Sequence, residues 1–420
     1  MKNLILLLSC LLLQTSVSFG QWEQLETIQQ NSMYDLATAN EFTVTTVSEF
    51  GQIHHSIDAG QTFELLNAPF SFALMHTIEY RGDIGYIGAG CYFTTQDCPA
   101  NVIYKTTDGG NSWTLAFQDD VNTGQGVFNS IQIPSNEVAY ALNDTQLLYK
   151  SIDGGVNWEQ ANTPSHLIQN YKIQFLSDDI GFLHGSFTGI VPTPIHQILK
   201  TTDGGFNYEE VSLPNQDLVV IDFFFADESN GYVITPEFLY KTTDAGMTWS
   251  EIAVNLNDGE DLQKLSFANE TIGYISSYDE LSGSTKVYRS EDAGLTWGLE
   301  LEAAVQPFDV ITSLDFYDGN NGYARSLKSV WKRTGPSNTA DIPSLAIQIS
   351  PNPTSGLLMI DNLEAVQEQL TYRVMNLQGK LMSEGIAQRQ LDISHLPAGA
   401  YFVEIKSEDG RAMVEKVMKQ

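Results

Sequence analysis

The sequence predicts an all-β protein, a seven-bladed β-propeller followed by a small C-terminal β-sandwich. Three observations predict it. A turn motif recurs six times at blade-sized spacing, a Gly-aromatic strand or close variant also recurs six times, and the first strand after the leader resembles the strand that follows each turn.

The turn motif reads SIDAGQTF from Ser56, TTDGGNSW from Thr106, SIDGGVNW from Ser151, TTDGGFNY from Thr201, TTDAGMTW from Thr242 and SEDAGLTW from Ser290. Its aspartates are Asp58, Asp108, Asp153, Asp203, Asp244 and Asp292, spaced 50, 45, 50, 41 and 48 residues apart. That spacing suits one four-stranded blade with its loops. A strand of alternating apolar and polar residues precedes most copies (VIYK, LLYK, QILK, FLYK, KVYR). The aspartate can accept backbone N–H groups in the turn, and the second glycine tolerates positive φ. The aromatic that follows opens the next strand and can wedge between sheets. These six carboxylates therefore read as structural turn staples rather than catalysts.

An earlier strand in each unit ends in Gly-aromatic or a variant: GYIG at Gly85, VAYA at Val138, GFLH at Gly181, GYVI at Gly231, GYIS at Gly273 and GYAR at Gly322. The last has no good turn after it. Aligning VYRSEDAG with VWKRTGPS places Trp331 opposite Tyr288, so the seventh unit has three strands and stops. QWEQLETI, from Gln21, resembles the fourth strand of the other units. Pairing it into the last blade would close the ring and remove two open edges.

Residues 1–20 read as a signal peptide, Lys2 followed by an apolar run and small residues. Leu7-Leu8-Ser9-Cys10 also fits a lipoprotein cleavage box, but the apolar run before Cys10 is short and continues past it. With Cys10 removed, Cys91 and Cys98 remain and most simply form a local disulfide. No later run is long enough to cross a membrane as a helix. The formal charge is −31, and residues 21–344 carry most of it, with 13 Lys+Arg against 43 Asp+Glu. That balance argues against nucleic acid and anionic membranes as partners. GPSNTADIPS, residues 335–344, has linker composition. Residues 345–420 read as short alternating strands with Gly turns.

S/T-x-D-x-G-x-x-W/F resembles the Asp-box, or BNR repeat, of sialidases, xyloglucan-cleaving glycosidases, sortilin ectodomains and photosystem II assembly-factor propellers. The fuller pattern of Gly-aromatic strand, Y-K and turn is most similar to the assembly-factor-like group over residues 21–334. The resemblance implies the fold sharply and the function poorly. Ile349-Ser350-Pro351-Asn352-Pro353-Thr354-Ser355-Gly356, VMNLQGKLM around Gly379, and LDISHLPAGAYFVEI through Gly399 and Tyr401 resemble the type A C-terminal sorting domain of the type IX secretion system. That likeness implies a Bacteroidetes-type bacterium, with secretion or cell-surface attachment and the secretion machinery as a partner.

The turns occupy one face, so a ligand site is expected on the other, where second-to-third-strand connections converge on the axis. Three look enlarged, in blades 2, 4 and 6. They offer Tyr92, Phe93 and Gln96, then Phe187, Thr188 and His196, then Tyr278. Aromatics beside amides and carboxylates suit a glycan, peptide or protein ligand. Insertions that merely lengthen surface loops are the bland alternative. Asp97 facing Asp279 or Glu280 would be the carboxylate pair of a glycoside hydrolase, the second reading.

The arginine cluster of a sialidase cannot be built from Arg81, Arg289, Arg325 and Arg333, the last placed in the degenerate turn. His54-His55 on a strand point to opposite faces and suit packing better than metal. Asp258-Gly259-Glu260-Asp261 lacks calcium-loop spacing and reads as a solvated connection. No cofactor or metal signature appears, and a binding or scaffold role is expected over catalysis.

Overall fold

The computed structural model describes residues 21–25, 33–67, 73–91, 101–119, 126–164, 167, 169–188, 194–215, 218–304, 309–335, 348–351, 353–361, 370–376, 380–406 and 412–420. The expected signal peptide, most of the expected linker and residues 92–100 lie outside them.

Strand β1 (Gln21–Leu25) opens the described chain. Blade 1 is β2 (Met33–Thr38), β3 (Val44–Ser48), β4 (Gln52–Ser56) and β5 (Glu64–Asn67). Blade 2 is β6 (Leu74–Arg81), β7 (Ile84–Cys91), β8 (Val102–Thr106) and β9 (Thr114–Gln118). Blade 3 is β10 (Gly126–Gln132), β11 (Ala139–Asn143), β12 (Leu148–Ser151) and β13 (Glu159–Ala161). Blade 4 is β14 (Gln169–Phe175), β15 (Gly181–Thr188), β16 (Pro194–Thr201) and β17 (Glu209–Val211). Blade 5 is β18 (Asp222–Phe225), β19 (Gly231–Ile234), β20 (Leu239–Thr242) and β21 (Ser250–Ile252). Blade 6 is β22 (Glu260–Phe267), β23 (Gly273–Asp279), β24 (Ser284–Ser290) and β25 (Gly298–Ala304).

Blade 7 is β26 (Ser313–Phe316), β27 (Gly322–Arg325) and β28 (Val330–Thr334), completed by β1. β1 runs antiparallel to β28, with Gln21 opposite Thr334 and Leu25 opposite Val330. The ring is therefore closed as the sequence predicts, by the first strand filling the last blade.

The Gly-aromatic pairs explain how blades stack. A Cβ on Gly231 would come within 2.4 Å of the Phe225 ring, and one on Gly322 within 2.3 Å of Phe316, so only glycine admits the inner-strand phenylalanine. The aromatic beside each glycine then turns to the next blade. Phe182 stacks on Phe225 at 3.7 Å and Tyr274 on Phe316 at 3.7 Å, between ring centroids.

Residues from Gln348 onward form two small sheets. One is β29 (Gln348–Ser350), β30 (Leu357–Asp361) and β33 (Gln390–Asp392). The other orders β32 (Leu381–Ile386), β31 (Thr371–Asn376), β34 (Gly399–Lys406) and β35 (Ala412–Lys419). Ile349, Leu358, Ile360, Val374, Val403 and Val417 share the core between them.

Candidate functional site

Alternating strand direction puts the first-to-second and third-to-fourth connections of every blade on one face and the remaining connections on the other. All six aspartate turns sit on the first, the turn face. Asp108 shows the arrangement: it accepts from Thr106 Oγ1 at 2.6 Å, Ser112 N at 2.9 Å and Ser112 Oγ at 2.6 Å. Asp153 does the same with Ser151, Val156 and Asn157, and the Asn157 hydrogen bonds hold its carboxyl down at about 2. The carboxylates are fully engaged within their own turns, which supports the staple reading.

The turns also lock neighbouring blades. Tyr86 Oη and Lys105 Nζ of blade 2 both donate to Gly154 O in the blade 3 turn, at 2.7 and 2.5 Å. Tyr232 and Lys241 of blade 5 do so to Ala293 O of blade 6, each at 2.7 Å. Lys332 reaches Ala59 O at 2.8 Å, joining blade 7 to blade 1.

On the opposite, loop face, Tyr92, Phe93, Gln96, Asp97 and Cys98 lie outside the described residues, while Cys91 ends β7 in a buried position. The lengths of blades 4 and 6 are taken up differently from the sequence expectation. The hairpins extend, with Thr188 paired to Pro194 and Asp279 to Ser284, so the connections themselves are short. Phe187 and His196 consequently sit on strands. The half-buried His196 accepts or donates at Nδ1 to His184 Nε2, 3.0 Å away, and stacks on Tyr171 at 5.6 Å. Burial, with His196 alongside, lowers His184 to about 3.

Tyr278 is only 7% exposed and packs inward, so it is not presented to a ligand. Asp279 caps its own turn, accepting from Leu281 N and Ser282 N, and lies 3.4 Å from Lys286 Nζ. Glu280 is exposed. Of the expected carboxylate pair, Asp279 is thus occupied by structure.

Two further expectations change. Glu260 does not belong to a solvated acidic connection. It opens β22, is 3% exposed, and accepts from Lys286 at 2.8 Å, Tyr288 at 2.7 Å and Ser277 at 2.5 Å. Arg333 does not lie in a degenerate turn but within β28. It takes the place of the turn Ser/Thr, and its buried guanidinium grips Glu300 of blade 6 with two bonds, 2.7 and 2.8 Å. His54 and His55 pack as the alternation requires, His55 buried beside Thr45 Oγ1 at 2.9 Å. Among the described residues no group of three or more His, Cys, Asp or Glu could hold a metal ion.

The sequence reading placed loops around the axis but did not identify the lining of the axial channel, a cavity of about 360 Å³ lined by the inner strand of every blade. Alternate residues of those strands point inward and stack in two rings. The ring nearer the loop face carries Asp35, Thr77, Ser130, Lys172, Asp222, Lys264 and Ser313. The next carries Ala37, Glu79, Gln132, Gln174, Phe224, Ser266 and Asp315. Five inner strands bulge just before the first ring, at Tyr34, His76, Asn129, Tyr171 and Gln263.

Several ring residues staple adjacent blades. Asp35 accepts from Ile78 N at 3.0 Å and Ser313 Oγ at 2.9 Å, and Asp222 accepts from Leu265 N at 3.1 Å. Lys172 sits 2.7 Å and Lys264 3.6 Å from Asp222. Burial opposes ionisation of Asp222, but these two lysines outweigh it and keep its carboxyl below the ordinary range. Glu79 has the opposite environment: burial, with Asp315 and Asp35 beside it, holds its carboxyl well above. A signal for the rings existed in the sequence, in KIQF, DFFF, KLSF and SLDF ending at Phe175, Phe225, Phe267 and Phe316.

The loop face also exposes apolar side chains, concentrated in blades 5 and 6 and the connections into blade 5. Val219, Ile221, Phe238 and Leu281 are 48, 37, 40 and 79% exposed. In blade 1, Phe50 is 51% exposed and holds φ 61, a left-handed conformation that disfavours bulky residues. The turn face exposes Val156, Phe206, Met247 and Leu295 at one repeated turn position in blades 3 to 6.

This architecture defines a seven-bladed β-propeller joined to a small β-sandwich of the kind that directs secretion. Residues 348–420 match the family model described as a secretion system C-terminal sorting domain. That domain marks the protein as secreted or cell-surface in a Gram-negative bacterium, handled by the type IX machinery. No curated protein sequence matches the chain.

Among solved structures, the chain is similar to YCF48 bound to D1 peptide, at 15% identity and TM-score 0.58, over 74% of this chain and 96% of that one. YCF48 from Cyanidioschyzon merolae gives 15% identity and TM-score 0.57, over 76% and 99%. A GH74 xyloglucanase from Xanthomonas campestris gives 14% and 0.56, over 81% of this chain and 59% of that enzyme. At these identities the likeness concerns the fold. No helix among the described residues is long and apolar enough to cross a membrane.

Proposed function

We propose that the protein is a secreted or cell-surface binding module that engages a peptide or protein partner on its loop face. The observation that carries this reading is the set of exposed apolar side chains Val219, Ile221, Phe238 and Leu281 on the loop-face connections of blades 5 and 6, with Phe50 held in a costly backbone conformation on the same face. A peptide-bound neighbour of the same fold supports it as an analogy. A bridge between Cys91 and Cys98, the pairing expected from the sequence, would pin Tyr92, Phe93 and Gln96 beside this face. The glycosidase reading has less support, because Asp279 commits its carboxylate to its own turn and to Lys286.

The test is binding of the mature chain to peptide and glycan arrays, with hydrolysis assays on xyloglucan-type glycans. Peptide binding lost at least tenfold in a Phe238→Ala/Leu281→Ser variant is the expected result. Glycan hydrolysis by the wild type, with peptide binding absent, would overturn the reading.

A further inference from the structure

The loop-face mouth of the axial channel differs in composition from the ring beneath it. That ring is charged, with Asp35, Lys172, Asp222 and Lys264 among its members. One residue further toward the mouth, every blade contributes to a collar. In five blades a β-bulge supplies the residue: Tyr34, His76, Asn129, Tyr171 and Gln263. In blades 5 and 7 it is Ile221 and Thr312. Each of these donates its N–H to the carbonyl of the residue that its ring neighbour pairs with, Ile234 and Arg325, so the extra residue recurs there. A bulge takes a residue out of the ladder and re-aims its side chain. Asn129 and Tyr171 line the cavity, and Ile221 and Thr312 are exposed.

The collar holds no Asp, Glu, Lys or Arg, although residues 21–344 carry 43 Asp+Glu. Burial lowers the His76 and His196 imidazoles, which keeps those rings uncharged at neutral pH. The aromatic rings are also fixed by their neighbours. Tyr34 and His76 lie 4.5 Å apart between centroids, joining blades 1 and 2. Tyr171 lies 4.9 Å from His184 and 5.6 Å from His196, and its hydroxyl is tied to Gln169 at 3.1 Å and Ser186 at 3.0 Å. Rings held in one orientation before a ligand arrives lower the entropic cost of binding it.

The mouth is walled as well. The second strands of blades 2, 4 and 6 are 8, 8 and 7 residues long, against 5, 5, 4 and 4 in blades 1, 3, 5 and 7, so three hairpins rise above the collar. A concave, uncharged opening with fixed aromatic faces is the form of a binding pocket. Ile221 belongs both to the collar and to the exposed apolar set of the loop face.

We propose that this collar is the anchor point of the loop-face site, taking one aromatic side chain of the partner peptide against Tyr171 and the Tyr34–His76 pair. The inference rests on the peptide reading above and names the residue type that reading leaves open. An aromatic ring gains from offset stacking on fixed rings and from leaving water, and needs no counter-ion. A charged side chain would find none in the collar. A sugar ring can also stack on tyrosine, but its hydroxyls would meet Ile221, so a glycan is kept as an outcome of the test.

The experiment uses the mature full chain and ligand-observed NMR with N-acetyltyrosinamide, N-acetylleucinamide, N-acetyllysinamide and cellobiose as probes. The tyrosine amide is expected to bind about tenfold more tightly than the other two amides. Tyr171→Ala should weaken it about tenfold, whereas Tyr171→Phe, which keeps the ring, should stay within about twofold. Ile221→Asp, a change at an exposed position that puts a charge into the collar, should weaken it about tenfold too.

Equal binding of the three amides, wild-type affinity in Tyr171→Ala or Ile221→Asp, or cellobiose bound in preference to the tyrosine amide would overturn the collar. The Phe238→Ala/Leu281→Ser variant should hold the amide as the wild type does while losing array peptides. Array peptides that bind without an aromatic residue, and are lost in that variant, would overturn the collar and leave the loop-face reading standing. Amide binding with no array peptide bound would do the reverse.

Discussion

At the residue scale, the aspartate turns and the channel acids place carboxylates in opposite environments. Asp108 gathers three hydrogen bonds inside its turn, so Asp108→Ala gives up bonds that water only partly replaces and should cost about 1 kcal/mol, read as a lower urea midpoint with unchanged slope. Glu79 is the reverse, a carboxylate whose ionised form the fold disfavours, so Glu79→Gln should raise the melting temperature at neutral pH. A fall would mean that an unseen donor already satisfies it. The repeats made the first group legible, since Ser/Thr-x-Asp recurs six times. Glu79 was not legible, because its meaning comes from Asp315, more than two hundred residues away, and the ring that joins them.

At the element scale, closure and blade contacts decide integrity. β1 pairs along its whole length with β28, and Trp22 meets Phe316 edge-on at 6.3 Å. A chain lacking residues 21–25 should expose the edge of β28 and associate, which size-exclusion chromatography would show. An intact monomer of unchanged melting temperature would refute that. Arg333 and Glu300 join β28 to β25 as a buried bidentate pair. Arg333→Met leaves the glutamate with only the Trp22 indole N–H at 3.3 Å and Arg289 at 3.8 Å, and should cost about 3 kcal/mol by chemical denaturation. The alignment of the seventh unit predicted the strand count and the closing strand. It misplaced Arg333, because a missing turn motif looks like a turn that decays rather than a strand that continues into a new ion pair.

At the scale of the whole molecule, acid sensitivity follows from the turns. Asp153, Asp203 and Asp292 are held at about 2 by hydrogen bonds from their own turns. The unfolded chain therefore takes up protons first, from about 4 downward. Their contribution is fully present above that value and is lost as pH falls toward about 2. Thermal unfolding should show the three turn carboxylates losing their contribution across that window, against an opposite contribution from Glu79 and Asp315, whose protonation the fold favours.

By itself the sequence determined the blade count, the closing strand and the sorting domain. Each is a local pattern that repeats or pairs within one or two strands, so short-range chemistry carries it. The tertiary structure decided where side chains meet across the ring. Tyr278 and Asp279 turned inward because the blade 6 hairpin extends instead of looping, and Glu260 was buried by the same strands. The channel needed all seven inner strands to converge on one axis, and no segment of the chain contains that geometry.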